Sequence, residues 1–315
     1  MTFARTVKEE LVHLKTNKSE KLAELSALLH LGSEVVINNK GLFIVFRSTN
    51  IALTRHFFKL IKKLYNAEME IATSRTSFKT IELSVLVKTQ TQNIASETSL
   101  IYESLSDYEL LTIERPCKQA YLRGAFLASG SINNPIKPNY HLEIFAKSKT
   151  NAIFTQRLMN HFNLNAKIAK RRNGLIVYLK EAEAISEFLK VVNAYESVFH
   201  FEDLRIHRDF NNSINRLINI EIANEKKTLK AANQQLKQIK FIKQYKNFDM
   251  LEPSLKQIIA LREENPTASL NELSLAYEEK TGEKISKSGI NHRLQKIKEL
   301  SIEIIKTIKE QEKQQ

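Results

Sequence analysis

The 315-residue chain has no tryptophan, one cysteine, seven glycines and five prolines. The lone Cys117 excludes an intramolecular disulfide and any cysteine-rich zinc site. No stretch approaches the roughly 18 consecutive apolar residues of a membrane span. The opening "MTFARTVKEELVHLK" lacks the continuous apolar run of a secretory leader. These absences point to a cytoplasmic protein. Positive charge, by contrast, is abundant: 48 Lys and Arg against 35 Asp and Glu give a net charge of +13. Such a balance favours anionic partners, nucleic acid ahead of a membrane surface. The hydrophobic content of 42% and charged content of 26% are ordinary for a soluble globular protein with room for about two domains. Heavy use of Lys, Asn and Ile is the composition of an AT-rich genome.

The first two-thirds of the chain contains an approximate duplication. Ala27 to Ser33 and Ala125 to Ser131 both read Ala-x-Leu-x-x-Gly-Ser. Thr49-Asn50 matches Thr150-Asn151, and Thr54 matches Thr155. On that alignment the offset moves from 98 to 101, which implies about three residues inserted in the intervening hairpin. Each unit reads helix, two strands, helix, two strands. In the first, "KLAELSALLHL" carries apolar residues at 22, 25, 28 and 29 and stops at Gly32; a hairpin turns near Asn39-Lys40-Gly41; "IALTRHFFKLIKKLY" is an amphipathic helix; "MEIATSRTSFKTIELSVLV" is a second hairpin. The second unit places strands near 140–148 and 166–180, with its last turn at Arg171 to Gly174.

Within "YLRGAFLASGS", Gly124 stands in mid-helix, at a cost of roughly 1 kcal/mol relative to Ala. It lies four residues before Ala128, a spacing of small residues that lets two backbones come close. Gly130 is expected to end the helix as a left-handed cap. Two such helices, each followed by hairpins, resemble the LAGLIDADG homing-endonuclease fold. Leu122 to Gly130 lies on that motif; Glu24 to Gly32 fits less well, with Ser26 where Gly and His30 where Ala is expected. The resemblance implies motif helices packed at a pseudo-twofold axis, with sheets forming a saddle. In catalytic members of that fold the eighth motif residue is acidic and holds a divalent metal. Here the eighth positions are Leu31 and Ser129, and the sixth are Leu29 and Leu127. Cleavage of a phosphodiester needs hard oxygen ligands around the metal, and these positions supply none. Glu34 lies just beyond the first helix, but Ile132 follows Ser131 in the second copy. No catalytic residue, metal or cofactor is expected.

Beyond about residue 205 the chain turns all-helical. Seven lysines and no acidic residue fall between Lys226 and Lys246, as in a long basic helix or linker. Pro253, Pro266 and Gly282 then punctuate three helices, about 253–264, 269–281 and 286–299. The last two form a helix-turn-helix pattern. Ser286 suits an N-cap; Ile290, Leu294 and Ile297 would face the core, leaving Ser288, Asn291, His292 and Gln295 outward. Lys284 to Lys298 contains five Lys or Arg and no acid. A recognition helix enters the major groove by its N-terminal end. Asn291 and Gln295 can pair with adenine, while Arg293 and Lys284, Lys287, Lys296 and Lys298 can reach guanine or phosphate. Arg293, near the edge of the packed face, suits phosphate.

Between the modules, Asn215-Arg216-x-x-Asn219, Ala223-Asn224, Lys227-Thr228 and Ala231-Ala232-x-x-Gln235 resemble the WhiA family of DNA-binding regulators, as do "TVKEEL" near the start and "SKSGINHRL" in the tail. The resemblance spans essentially the whole chain. It implies an α+β fold: a pseudo-twofold αββαββ LAGLIDADG-like domain over 1–205 (half-repeats about 20–98 and 118–203), a basic helical linker over 206–248, and a helix-turn-helix domain over 249–315 with its motif about 269–302. It further implies a non-catalytic, sequence-specific protein of duplex DNA, regulating transcription in cell division and chromosome segregation on the nucleoid, with protein partners in the transcription or division machinery. Further DNA-contact candidates are Arg47, Arg75, Lys79, Lys147, Lys170, Arg171 and Arg172 on the saddle and Arg216 and Lys227 in the linker. The alternatives are a residual metal-dependent endonuclease, RNA binding, and a saddle that binds a protein or small ligand instead of DNA.

Overall fold

Side-chain caps frame the first repeat. After α1 (Phe3–Leu11), Asn17 Oδ1 accepts the amide of Glu20 and opens α2 (Lys18–Gly32). A hairpin follows, β1 (Ser33–Asn38) and β2 (Gly41–Ser48). Asn50 Oδ1 then accepts the amides of Ala52 and Leu53 and opens α3 (Ile51–Tyr65), which stops at a left-handed Asn66. The strands β3 (Met69–Arg75) and β4 (Ile81–Val87) complete an antiparallel sheet of order β1-β2-β4-β3. The computed structural model describes residues 2–39, 41–75, 81–101, 104–245 and 248–312.

Two short helices, α4 (Thr91–Glu97) and α5 (Leu105–Leu111), lead to the second repeat. It comprises α6 (Arg115–Ser129), β5 (Gly130–Ile132), β6 (Leu142–Ala146), α7 (Lys149–His161), β7 (Lys167–Arg171) and β8 (Gly174–Leu179). Its sheet order, β5-β6-β8-β7, repeats the first. The expected LAGLIDADG-like α+β duplication is therefore the observed architecture.

Across α3 and α7 the two repeats keep the offset of 98 and do not move to 101. Leu53, Thr54, Phe57, Leu60 and Ile61 are the buried residues of α3. Advanced by 98 they become Asn151, Ala152, Thr155, Leu158 and Met159, all buried in α7. Both N-caps obey the same offset, Asn50 and Ser148, whose Oγ accepts the amide of Asn151. There is no three-residue insertion before α7. Asn50 is a cap and Asn151 a helix residue, so the Thr-Asn match is coincidental. The two hairpins differ instead in how they divide an equal length, since β5 and β6 are shorter than β1 and β2.

Glycine fixes the contact between α2 and α6. A Cβ on Gly124 would stand 2.3 Å from the Glu24 carbonyl oxygen and 2.9 Å from Ala27 Cβ. One on Gly32 would meet Ala128 Cβ at 3.2 Å. The small residues of the motif thus bring the two backbones together. Gly130 departs from expectation: its φ of −76° and ψ of 146° are extended, and it is the first residue of β5 rather than a left-handed cap. A side chain there would clash with Phe126, 2.3 Å from its ring, so crowding explains the glycine. One hydrophobic cluster unites both repeats and takes in Phe46 stacked on Phe57 at 4.3 Å.

By internal contacts the chain forms two units, one to Asp209 and one from Phe210. After α8 (Ala182–Val191), the 51-residue helix α9 (Tyr195–Tyr245) carries the chain from the first into the second. Three further helices follow: α10 (Pro253–Glu264), α11 (Leu270–Thr281) and α12 (Lys287–Glu312). Ser269 and Glu272 form a reciprocal capping box on α11, and Gly282 ends it in the left-handed region at φ 74°. The second core joins Ile239 and Ile242 of α9 to Leu255, Ile258, Leu273, Tyr277, Ile290, Leu294 and Ile297.

Gly124→Ala should lower the free energy of unfolding by about 1–3 kcal/mol, because the helices must part to admit one methyl group. Urea denaturation measures this; a loss below about 0.5 kcal/mol, the scatter of an ordinary surface change, would mean that α2 and α6 are not in backbone contact.

Candidate functional site

At the end of α6, where a nuclease of this fold would hold a metal, Ser129 Oγ donates to the Phe145 carbonyl at 2.6 Å. At the end of α2, Leu31 is buried. Glu34, on β1 just beyond α2, is engaged by two cations: Arg47 of β2 and Lys147 Nζ at 3.2 Å. Hydrogen bonds from Arg47 and Lys147 hold its pKa below the ordinary carboxylate value. Among the described residues no group of three or more His, Cys, Asp and Glu could hold a metal ion.

The motif helices carry instead a buried polar cluster that the sequence did not reveal. Glu24, on α2, accepts Arg123 Nε of α6 at 2.6 Å and also His56 Nε2 of α3. Glu24 and Arg123 are 2% and 1% exposed. Burial alone would raise the pKa of Glu24; the His56 hydrogen bond and the Arg123 charge outweigh it and bring it below the usual value. An arginine directly before the packed Gly124 was the available signal. His30, the misfit in the first motif, has its own setting. Nε2 lies 2.6 Å from the Thr98 carbonyl and Nδ1 3.0 Å from the Tyr121 hydroxyl, with the ring stacked 4.2 Å from Tyr108. Since a carbonyl only accepts, Nε2 carries the hydrogen and Nδ1 accepts from Tyr121. Burial lowers the pKa of His30 to about 4, so the ring is neutral.

Strand alternation decides which sheet residues face away from the helices. The buried Ile44, Phe46, Val85 and Val87 face the helices; their neighbours Arg47, Glu82 and Ser84 face away, and register adds Glu34 and Glu70. In the second sheet Glu143, Lys167 and Arg171 share the free face. Among the described strand residues the free faces therefore carry Glu34, Glu70, Glu82 and Glu143 against Arg47, Lys167 and Arg171. Arg75 and Lys170 fall on the opposite parity, with Ile81 and Leu175. Arg171 is bound to Glu143 at 3.1 Å, Arg172 is exposed in the β7–β8 turn, and Lys79 lies outside the described residues.

The second unit arranges the terminal candidates differently. Ser286 Oγ accepts the Gly289 amide at 3.1 Å and starts α12. Ile290, Leu294 and Ile297 are buried. Lys284, Ser286, Lys287, Ser288, Asn291, His292, Gln295, Lys296 and Lys298 are exposed. Arg293 is half-buried: its guanidinium lies 5.2 Å over the Tyr277 ring and donates to the Tyr277 hydroxyl at 3.2 Å. It braces α12 against α11. Arg216 is exposed on α9. Lys227 of α9 and Lys287 and Asn291 of α12 line one cavity of about 300 Å³. Gln234 and Gln238 of α9 border a groove with Asn291 and Gln295.

Two αββαββ repeats whose LAGLIDADG-like helices lack acidic ends, followed by a helix-turn-helix, define the class of protein. Comparison with known proteins agrees. Three family models match: the WhiA N-terminal LAGLIDADG-like domain over residues 18–101, the WhiA LAGLIDADG-like domain over 118–211 and the WhiA C-terminal HTH domain over 214–301. "Probable cell division protein WhiA" of Bacillus cytotoxicus is 41% identical over 308 residues, covering 96% of each chain. Its namesake in Oceanobacillus iheyensis is 40% identical, covering 96% of this chain and 98% of the other. The crystal structure of full-length WhiA from Thermatoga maritima superposes with a TM-score of 0.60 at 24% identity, covering 96% of this chain and 99% of that one. The chain belongs to the WhiA family. No helix among the described residues is long and apolar enough to cross a membrane.

Two pH windows follow from the buried groups. His30 binds its proton less readily folded than unfolded, so its contribution is full above its ordinary value of 6.5 and shrinks as pH falls toward about 4. Glu24, with a lowered pKa, contributes above the ordinary Glu value and loses that as pH falls through its folded pKa. Unfolding free energy measured across pH 7 to 3 should fall in two legs, and His30→Phe should remove the upper one. Glu24→Gln should cost about 3–5 kcal/mol at pH 7 by leaving Arg123 buried and unpaired.

Proposed function

We propose that the chain is a non-catalytic, sequence-specific binder of duplex DNA that reads base edges with α12 and acts as a transcriptional regulator in cell division and chromosome segregation, on the nucleoid. The observation that carries this reading is the segment Lys284 to Lys298: five cations, no carboxylate, and an exposed row of Ser288, Asn291, His292 and Gln295 opposite a buried apolar seam. Amide and hydroxyl groups suit base edges, and the flanking lysines suit phosphate. The link to division rests on the family, whose curated relatives carry the name of a probable cell division protein.

The first unit favours a different task. Its free sheet faces balance acid against base, and three of its candidate cations, Arg47, Lys147 and Arg171, are already paired with Glu34 or Glu143. A DNA-contacting surface would need an excess of unpaired cations. We assign this unit to binding a protein or small ligand, with DNA left to the second unit.

The two assignments separate by mutation of the full chain. Selection of bound sites from a random duplex library defines the preferred sequence. Gln295→Ala or Asn291→Ala should then relax preference at single base pairs by about 1–3 kcal/mol. Lys167→Gln, on the free sheet face, should leave affinity and preference unchanged. Equal loss from Lys167→Gln and Gln295→Ala would return the sheets to the DNA interface. Supercoiled DNA incubated with the protein and Mg²⁺ or Mn²⁺ should remain uncut; cutting abolished by changes near Glu34 and Ser129 would make the chain a nuclease.

A further inference from the structure

The 300 Å³ cavity of the second unit has a chemistry of its own. Lys227 of α9, Arg262 of α10 and Lys287 of α12 line it, and no Asp or Glu does. Leu270 and Asn271, the first two residues of α11, also line it. Their amides belong to the first helical turn, where no carbonyl of the helix reaches them. The capping box takes up the Ser269 and Glu272 amides, so it leaves these two to another acceptor. Arg262 supplies an independent sign. It is 1% exposed and its Nη1 holds the Asn265 and Ala268 carbonyls, at 3.3 and 2.6 Å, yet its Nε has no partner among the described residues. A buried donor left open costs free energy unless a ligand meets it.

We infer that this cavity is a clamp for one backbone phosphate of the bound duplex, with α9 as a structural part of the DNA-reading module. Resting on the DNA-binding reading above, it adds the location of a phosphate contact and a role for Lys227. Two lysines, two free amides at a helix N-terminus and a fixed guanidinium are donors only, as a phosphodiester requires. Asn291, a base-reading candidate, lines the same cavity. A phosphate held there would set the register in which α12 enters the groove.

The test uses the full chain and a mixed-sequence 30-base-pair duplex, since a phosphate contact is indifferent to sequence. Affinity is measured by fluorescence anisotropy across a NaCl series. Lys227→Gln should reduce the slope of log K against log salt, by at most about 0.9, and weaken binding by up to about eight-fold at 0.1 M salt. Lys306→Gln, an equal charge change on α12 away from the cavity, should leave the slope within error. The Lys227→Gln/Lys287→Gln pair should lose less than the sum of the single losses, because both act on one phosphate. Equal slopes for Lys227→Gln and Lys306→Gln would overturn the clamp while leaving DNA binding by α12 intact. Absence of duplex binding by the unaltered chain would overturn both. Inorganic phosphate raising the melting temperature, with the DNA slope unmoved by Lys227→Gln, would assign the cavity to a free anion and likewise overturn the clamp.

Discussion

The contact of α2 with α6 is the constraint on which the first unit depends, and the Glu24–Arg123 pair sits inside it. The backbone of Glu24 lies under Gly124, where a Cβ would be 2.3 Å from its carbonyl, while its carboxylate meets Arg123 one residue earlier. One residue therefore supplies both the close approach and the charge. Leucines at these positions would pack in several alignments of two apolar helices. A carboxylate and a guanidinium, buried to within 2% of full enclosure, accept one. With the helix pair fixed, each sheet inherits its position from the helix that runs into it, since β1 begins where α2 ends and β5 where α6 ends.

That continuity also explains which sequence signals were legible. Helices with one buried stripe announced themselves: α3 begins and ends on the residues that periodicity gives, and Ile290, Leu294 and Ile297 are buried as their spacing requires. The motif helices were harder. Because α2 is enclosed on nearly every side, its buried positions run unbroken from Ala23 to Leu29 and show no stripe. There, charge reads as surface and glycine as punctuation. Arg123 looks like a solvated residue until its partner 99 positions earlier is known, and Gly130 looks like a helix cap until Phe126 is seen against it. The false Thr-Asn match arose in the same way, since local identity carried no information about which residue caps the helix.

His30 shows how the first motif copy diverged without loss of the fold. An imidazole stands where the motif calls for a small residue, and the structure meets it with a hydroxyl, a carbonyl and a stacked tyrosine. Asn151 donates to the His30 carbonyl at 3.1 Å, which ties α7 to α2 across the repeat boundary. The pseudo-twofold relation survives in sheet order and in buried positions, but the polar contacts on its two sides are unlike. Ser129 and Glu34 follow the same pattern. Groups at the ends of the motif helices bond to protein, the hydroxyl to a strand carbonyl and the carboxylate to two cations. A carboxylate whose lone pairs are filled by cations is a weak metal ligand, and these bonds tie Ser129 to β6 and Glu34 to Arg47 and Lys147.

The net charge of +13 favours an anionic partner, but its total says nothing of location. On the sheets, alternation sends Arg75 and Lys170 to the helix side and sets the remaining cations among glutamates. On α9 and α12 the lysines fall outside the buried seam of Ala232, Ile239, Ile242, Ile290, Leu294 and Ile297; Lys243 pairs with Glu263 and Lys296 with Glu252, and among the described residues most of the others make no ion pair. The same residue type is thus structural in one unit and available in the other, and only the period of the secondary structure separates the two cases. A helix can gather basic side chains on one face while burying another, whereas a sheet with one covered face offers every second residue to solvent and must keep that face soluble by mixing signs.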